Sequence, residues 1–177
     1  MVREFESAEI SSVVDLAGGE GRNALWFASR GAKAENVEFS AVALEKFESR
    51  AATAGLSELT LPTHADARSA KFQLKPDLLL ICYLQLPISD LIDALDNALS
   101  QLPEEAQIFG VWHAKRNLTE GFGGPPNPAL LPSPAELQRW ADDQQLDAKV
   151  WEEEREVVTE AGKFTAIDVL LRAKRRS

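Results

Sequence analysis

The chain has 177 residues with 45% hydrophobic and 27% charged side chains, a length and balance that suit one globular domain. Its formal net charge of -9 argues against a broad nucleic-acid surface. No apolar run is long enough for a membrane span, and the opening MVREFESAEISS lacks the apolar stretch of a secretory signal. A lone cysteine, Cys82, excludes an internal disulfide, and the distant histidines His64 and His113 offer no metal-ligand spacing. The expected setting is cytoplasmic, with no resident metal.

Strand and helix patterns alternate from the start. SSVVDLA (11–17) reads as a buried strand, and GRNALWFASRG (21–31) as a helix closed by Gly31. AKAENVEF (32–39) is a weaker strand because Glu35 and Asn36 are poor strand formers. SAVALEKFESRAATAG (40–55) is a helix with Ser40 as its N-cap. LTLPTHAD (59–66) is a strand that Pro62 confines to a sheet edge. PDLLLICYLQLP (76–87) is the most apolar run and predicts a central strand. SDLIDALDNALSQL (89–102) is an amphipathic helix beginning at a serine cap, and QIFGVWHA (107–114) is a further strand. GFGGPPNPALLPSP (121–134) is an irregular loop running into Ser133-Pro134-Ala135-Glu136, a capping box that starts a helix over 134–145. Two strands, 148–158 and 163–173, close the chain, and the final RAKRRS reads as a solvated end.

This order implies a single α/β domain over 1–177: a doubly wound, Rossmann-like, mostly parallel seven-stranded sheet with an antiparallel C-terminal strand. Ligands of such sheets sit beyond the carboxyl ends of the strands, here just after residues 16, 38, 65, 82 and 112. At the first of these, Gly19-Glu20-Gly21-Arg22-Asn23-Ala24 fits the dinucleotide pattern G-x-G-x-x-G/A, while the missing G-K-[ST] ending excludes a phosphate-loop NTPase. Asp15, at the end of the first strand, would repel a pyrophosphate but suit a cationic ligand end, such as the ammonium of S-adenosylmethionine. Glu38 is placed to accept from ribose hydroxyls, and Asp66 from an adenine amine. Three acids at successive strand ends read as one adenosyl pocket.

Together with these acids, the stretches VVDLAGGEGRNALWFASRG, VEFSAVALEK, HAD, YLQLP, NLTEGFGGPPNPALL and TAIDVLLRAKR carry a resemblance. Over about residues 12–174 the chain resembles class I S-adenosylmethionine-dependent methyltransferases, in particular the small bacterial group similar to tellurite-resistance methyltransferases. The resemblance implies S-adenosylmethionine as cofactor and a small-molecule methyl acceptor. Asp15, Ala17, Gly19, Gly21 and Asn23 would hold the methionine end, Glu38 and Phe39 the ribose side, and Asp66 with Ala67 the adenine. Ile81 and Tyr83 would border the methyl group, with Gln85 and His113 on the substrate side. Ala17 replaces the first glycine of the family pattern, an exchange that needs a negative φ there. Relatives carry a longer N-terminal segment than residues 1–11, and the uncovered patch leaves room for a homodimer.

Two other readings compete. A nicotinamide-dependent oxidoreductase also uses such a turn, but Tyr83 is followed four positions later by Pro87 rather than by the lysine of Tyr-x-x-x-Lys. An S-adenosylmethionine-binding module without catalysis is the other. No catalytic pair stands out in the sequence, which fits a soft or already ionised acceptor. Cys82 reads as a buried apolar residue, His64 as a strand residue and His113 as a structural hydrogen-bonding group.

Overall fold

The computed structural model describes Phe5 and residues 9–176. Seven strands form one sheet in the order β3-β2-β1-β4-β5-β7-β6. They are β1 (Ser12–Leu16), β2 (Lys33–Glu38), β3 (Thr60–His64), β4 (Leu78–Cys82), β5 (Gln107–His113), β6 (Leu146–Thr159) and β7 (Gly162–Arg175). β1 to β5 pair in parallel, and β7 runs antiparallel to both of its neighbours, as the sequence predicts. The helices are α1 (Arg22–Ala28), α2 (Ala41–Thr53), α3 (Ile88–Leu99), α4 (Asn117–Glu120) and α5 (Pro134–Asp143). Among the described residues no helix is long and apolar enough to cross a membrane.

Alternate strand residues feed two cores, because successive side chains point to opposite faces of a sheet. Val14, Leu79, Ile81 and Ile108 pack against Leu91, Leu95, Leu137 and Trp140 of α3 and α5. Val13, Leu78, Leu80 and Phe109 pack against Phe27 of α1 and Leu44 and Phe47 of α2. Both faces of β4 are thereby covered, which is why LLLIC carries no polar alternation. β1 sits between β2 and β4, so the chain reverses its direction of travel across the sheet there, and a crevice belongs at those two strand tips.

β2 forms despite the poor strand formers Glu35 and Asn36. Glu35 is wholly buried, and its carboxylate accepts from Thr63 Oγ1 at 2.6 Å, from the Gln73 amide at 2.9 Å and from the Leu74 amide at 2.9 Å. Pro62 lies in β3, the edge strand, where its missing N–H costs no ladder bond. Ser40 caps α2 and Ser133 with Glu136 forms the capping box of α5, both as expected.

Three boundaries differ from the sequence reading. β4 ends at Cys82 rather than continuing to 87, because Tyr83 turns the chain with φ +59°. α3 starts from Pro87, not from a serine cap at 89, since proline at that position already directs the chain into the first turn. β6 and β7 pair over fourteen residues each, beyond the predicted limits, and only Asp168–Lys174 of β7 also pairs with β5. The distal half of this hairpin therefore projects past the sheet.

Candidate active site

The turn after β1 is held from the side and from below. The Ala17 and Gly18 amides donate to Val37 O at 2.8 and 3.3 Å, and Gly21 N donates back to Gly18 O at 3.0 Å. A Cβ on Gly18 would collide with the Asn36 amide and the Asp15 carboxylate, and one on Gly21 with the Phe47 ring. A Cβ on Gly19 would meet open space, so its role is its φ of +59°, with its N–H donating to Glu38 and its carbonyl accepting from Asn36 Nδ2, each at 3.0 Å.

Ala17 departs from expectation. It has φ +59°, not the negative value its substitution for glycine requires, because the turn leaves β1 through that residue with its amide pinned to Val37. A non-glycine residue there costs about 1–2 kcal/mol. Ala17→Gly should therefore stabilise the protein by about 1 kcal/mol and raise Tm by roughly 2–4 °C in a thermal melt. An unchanged or lower Tm would show that the turn is not strained.

Asp15, Glu38 and Asp66 come to neighbouring strand tips, but each already has protein partners. Asp15 is fully buried, and its Oδ2 accepts from the Ala24 amide at 3.3 Å in the first turn of α1. Burial outweighs its contacts with Asn23 and Ala24 and raises its pKa to about 7. Its Oδ1 and the Oδ1 of Asn36 are buried with no hydrogen-bond partner among the described residues. Glu38 accepts from Gly19 N at 3.0 Å and Ser40 N at 2.9 Å, tying the turn to the start of α2. Asp66 is exposed and takes a forked pair of bonds from Arg68, at 3.1 and 2.7 Å, which holds its pKa at about 2. Phe39 stands 73% exposed beside Glu38, while Ala67 and Ile81 are buried in the core. His64 Nε2 lies 2.8 Å from Phe39 O, consistent with a strand residue.

A cavity of about 640 Å³ opens at the tips of β1 and β4, walled by α1 and the β6–β7 hairpin. Ala17, Asn23 and Tyr83 line it, with Phe109, Val111 and Leu170 among its apolar residues and Arg22 and Glu153–Glu156 among its charged ones. Asp15, Glu38 and Asp66 do not line it, so the acid row and the cavity are separate features flanking one turn. Gln85 is half-buried beyond Tyr83.

Asp168 lines the cavity and gathers three side chains, of which Tyr83 and Arg155 line it too and His113 stands beside them. Tyr83 Oη donates to its Oδ2 at 2.9 Å, Arg155 Nε donates to the same atom at 2.8 Å, and His113 Nδ1 lies 3.0 Å from its Oδ1. That last approach lacks hydrogen-bond alignment, and neither atom has another partner among the described residues. Burial opposes ionisation of Asp168, but the contacts with His113, Arg155 and Tyr83 outweigh it and hold the carboxyl below its ordinary value. Burial, then the charge of Asp168, pushes the Tyr83 phenol up. Cys82 is also pushed up by burial, in keeping with an inert thiol.

The sequence reading missed Asp168 and Arg155, and with them the pairing of His113. Their only signal was an acid inside the apolar run TAIDVLL, since Tyr83 and Asp168 lie 85 residues apart.

The sequence matches no protein-family model and no curated protein. Solved structures do match. TehB from Haemophilus influenzae superposes with a TM-score of 0.79 at 14% identity, covering 99% of this chain, which in turn spans 61% of TehB. An S-adenosylmethionine-dependent methyltransferase from Methanosarcina mazei gives 0.76 at 15% identity, covering 99% of this chain and 97% of its own. The glycopeptide N-methyltransferase MtfA, solved with S-adenosylmethionine, gives 0.73 at 15% identity, covering 99% and 92%. With the strand order β3-β2-β1-β4-β5-β7-β6, these likenesses identify the fold of the chain as that of S-adenosylmethionine-dependent methyltransferases.

Proposed function

We propose that the protein is an S-adenosylmethionine-dependent methyltransferase acting on a small-molecule acceptor in the cytoplasm. The observation that carries this reading is the set of groups around the glycine turn at the β1/β4 switch point. The residues fit the cofactor. Gly19 leaves open space where a side chain would stand, Asp15 and Asn36 keep buried oxygens without partners among the described residues, and Phe39 offers an exposed ring. A carboxylate has about four acceptor positions, and Glu38 gives two to the turn, leaving capacity for ribose hydroxyls. Asp66 keeps a similar reserve on Oδ2 for an adenine amine.

On this reading Ala17, Gly19, Gly21 and Asn23 hold the methionine end with Asp15 behind them. Glu38 and Phe39 take the ribose side, Asp66 and Ala67 the adenine, and Ile81 and Tyr83 border the methyl group. When bound, the cofactor supplies a methyl group on an electrophilic sulfonium. The cavity beside Ala17, Asn23 and Tyr83 receives the acceptor, and its apolar floor keeps water away from the reacting centre.

Saturating S-adenosylhomocysteine should raise Tm by roughly 5–10 °C, as expected for a ligand about 100-fold above its Kd, with no shift from NADH. Stabilisation by NADH and none by S-adenosylhomocysteine would end the methyltransferase reading.

A further inference from the structure

Apart from Tyr83, which borders the methyl group, the cluster on Asp168 has no part in holding the cofactor as described above. Four segments converge there: Tyr83 beyond β4, His113 at the end of β5, Arg155 on β6 and Asp168 on β7. Asp168 and His113 are paired across the β5–β7 ladder. Tyr83 and Arg155 share Oδ2, which leaves Oδ1 facing His113 Nδ1 at 3.0 Å. A carboxylate at that distance from a ring nitrogen keeps the proton on Nδ1, because two lone pairs would repel, and so leaves Nε2 as the basic nitrogen.

The surroundings keep Nε2 accessible. No hydrogen bond reaches it from the described residues, and the imidazole remains 13% exposed beside the Tyr83 ring, their centroids 4.9 Å apart. Gly124 of the GGPPNP loop lies over the ring. A Cβ at 124 would come within 2.8 Å of Cδ2 and 3.2 Å of Nε2, so a side chain there would crowd the ring and that nitrogen.

We propose, resting on the methyltransferase reading, that His113 is the general base of the reaction and that the acceptor is an oxygen or nitrogen nucleophile on an apolar body. Phe109, Val111 and Leu170 receive that body. The acceptor's lone pair forms the bond to the methyl carbon, the carbon–sulfur pair stays on sulfur, and the acceptor's proton passes to His113 Nε2. Asp168 is the positioning residue whose charge sets the tautomer and faces the imidazolium, with Arg155 and Tyr83 the other titratable or charged groups of the cluster. A thiolate or oxyanion acceptor, already ionised, would have no use for this pair.

Two measurements on the full chain test the proposal. In a long-range ¹H–¹⁵N spectrum of the unliganded protein, His113 should show the proton on Nδ1, and Asp168→Asn should abolish that preference. Methyl transfer from S-adenosylmethionine to 2-naphthol and benzylamine should fall about 100-fold or more in kcat for His113→Gln. KM should change little, and for 2-naphthol the loss should shrink as pH rises towards its ionisation. An Nε2–H tautomer overturns the proposal, as does an equal loss at every pH or no product from either probe. Should Asp168→Asn fail to fold, the wild-type spectrum and His113→Gln decide the matter. S-adenosylhomocysteine binding that survives a negative result leaves the cofactor reading standing, and its absence removes both.

Discussion

Replacing Glu35 with alanine lowers stability by about 4 kcal/mol, because it strands several donors at once. The carboxylate is wholly buried in the middle of β2 and accepts from the Thr63 hydroxyl and from the Gln73 and Leu74 amides. Those two amides belong to the loop that leads into β4, so one side chain fixes the central strand's approach. Each unsatisfied buried donor costs about 1–3 kcal/mol, and water reaches the vacated space poorly. The expected fall in Tm is roughly 10 °C. Glu35→Gln should lose less, since one oxygen still accepts, although its NH₂ then faces a donor. Chemical denaturation measures both changes. An alanine variant within about 1 kcal/mol of wild type would mean that the loop is held by other contacts.

Asp15 predicts the opposite behaviour with pH. Its pKa is raised in the folded protein, from the ordinary 3.8 to about 7, chiefly by burial. Below the unfolded value both states hold the proton and its contribution is at its most favourable. Between the two values the folded protein keeps a proton that the unfolded chain has released, so stability falls as pH rises, at about 1.4 kcal/mol per pH unit. The accumulated loss is on the order of 4 kcal/mol by pH 8. Asp15→Asn has nearly the same shape and no charge to lose, so its stability relative to wild type should climb by that amount between pH 4 and pH 8. Taking the difference between the two proteins cancels Asp66, Glu136 and Asp168, which titrate at lower pH and in the stabilising sense. A flat difference across this range would show that Asp15 is solvated or paired.

Most of the sheet was legible because the periodicity and glycine signals act locally. Val13 and Val14, or Leu79 and Leu80, show by their unbroken apolar character that both faces of their strands are covered. The acid row at Asp15, Glu38 and Asp66 could be read from strand ends alone. Three things could not. The φ of Ala17 is imposed by Val37 from the neighbouring strand. Glu35 looked like a poor strand former because its partners lie 28 to 39 residues away. The Asp168 cluster draws on four segments that only the folded ladder brings side by side. In each case a buried polar group or strained backbone is stabilised by distant residues, and single-sequence patterns carry no record of distance in space.

The hairpin of β6 and β7 has a final consequence. The glycine turn is anchored in the middle of the sheet, where any change disturbs two packed layers, whereas the outer cavity wall at Glu153–Glu156 belongs to an edge strand paired on one side only. Substitutions along that edge can reshape the entrance while the central scaffold stays intact. Retention of one ligand and choice of another can therefore evolve, or be engineered, as separate traits.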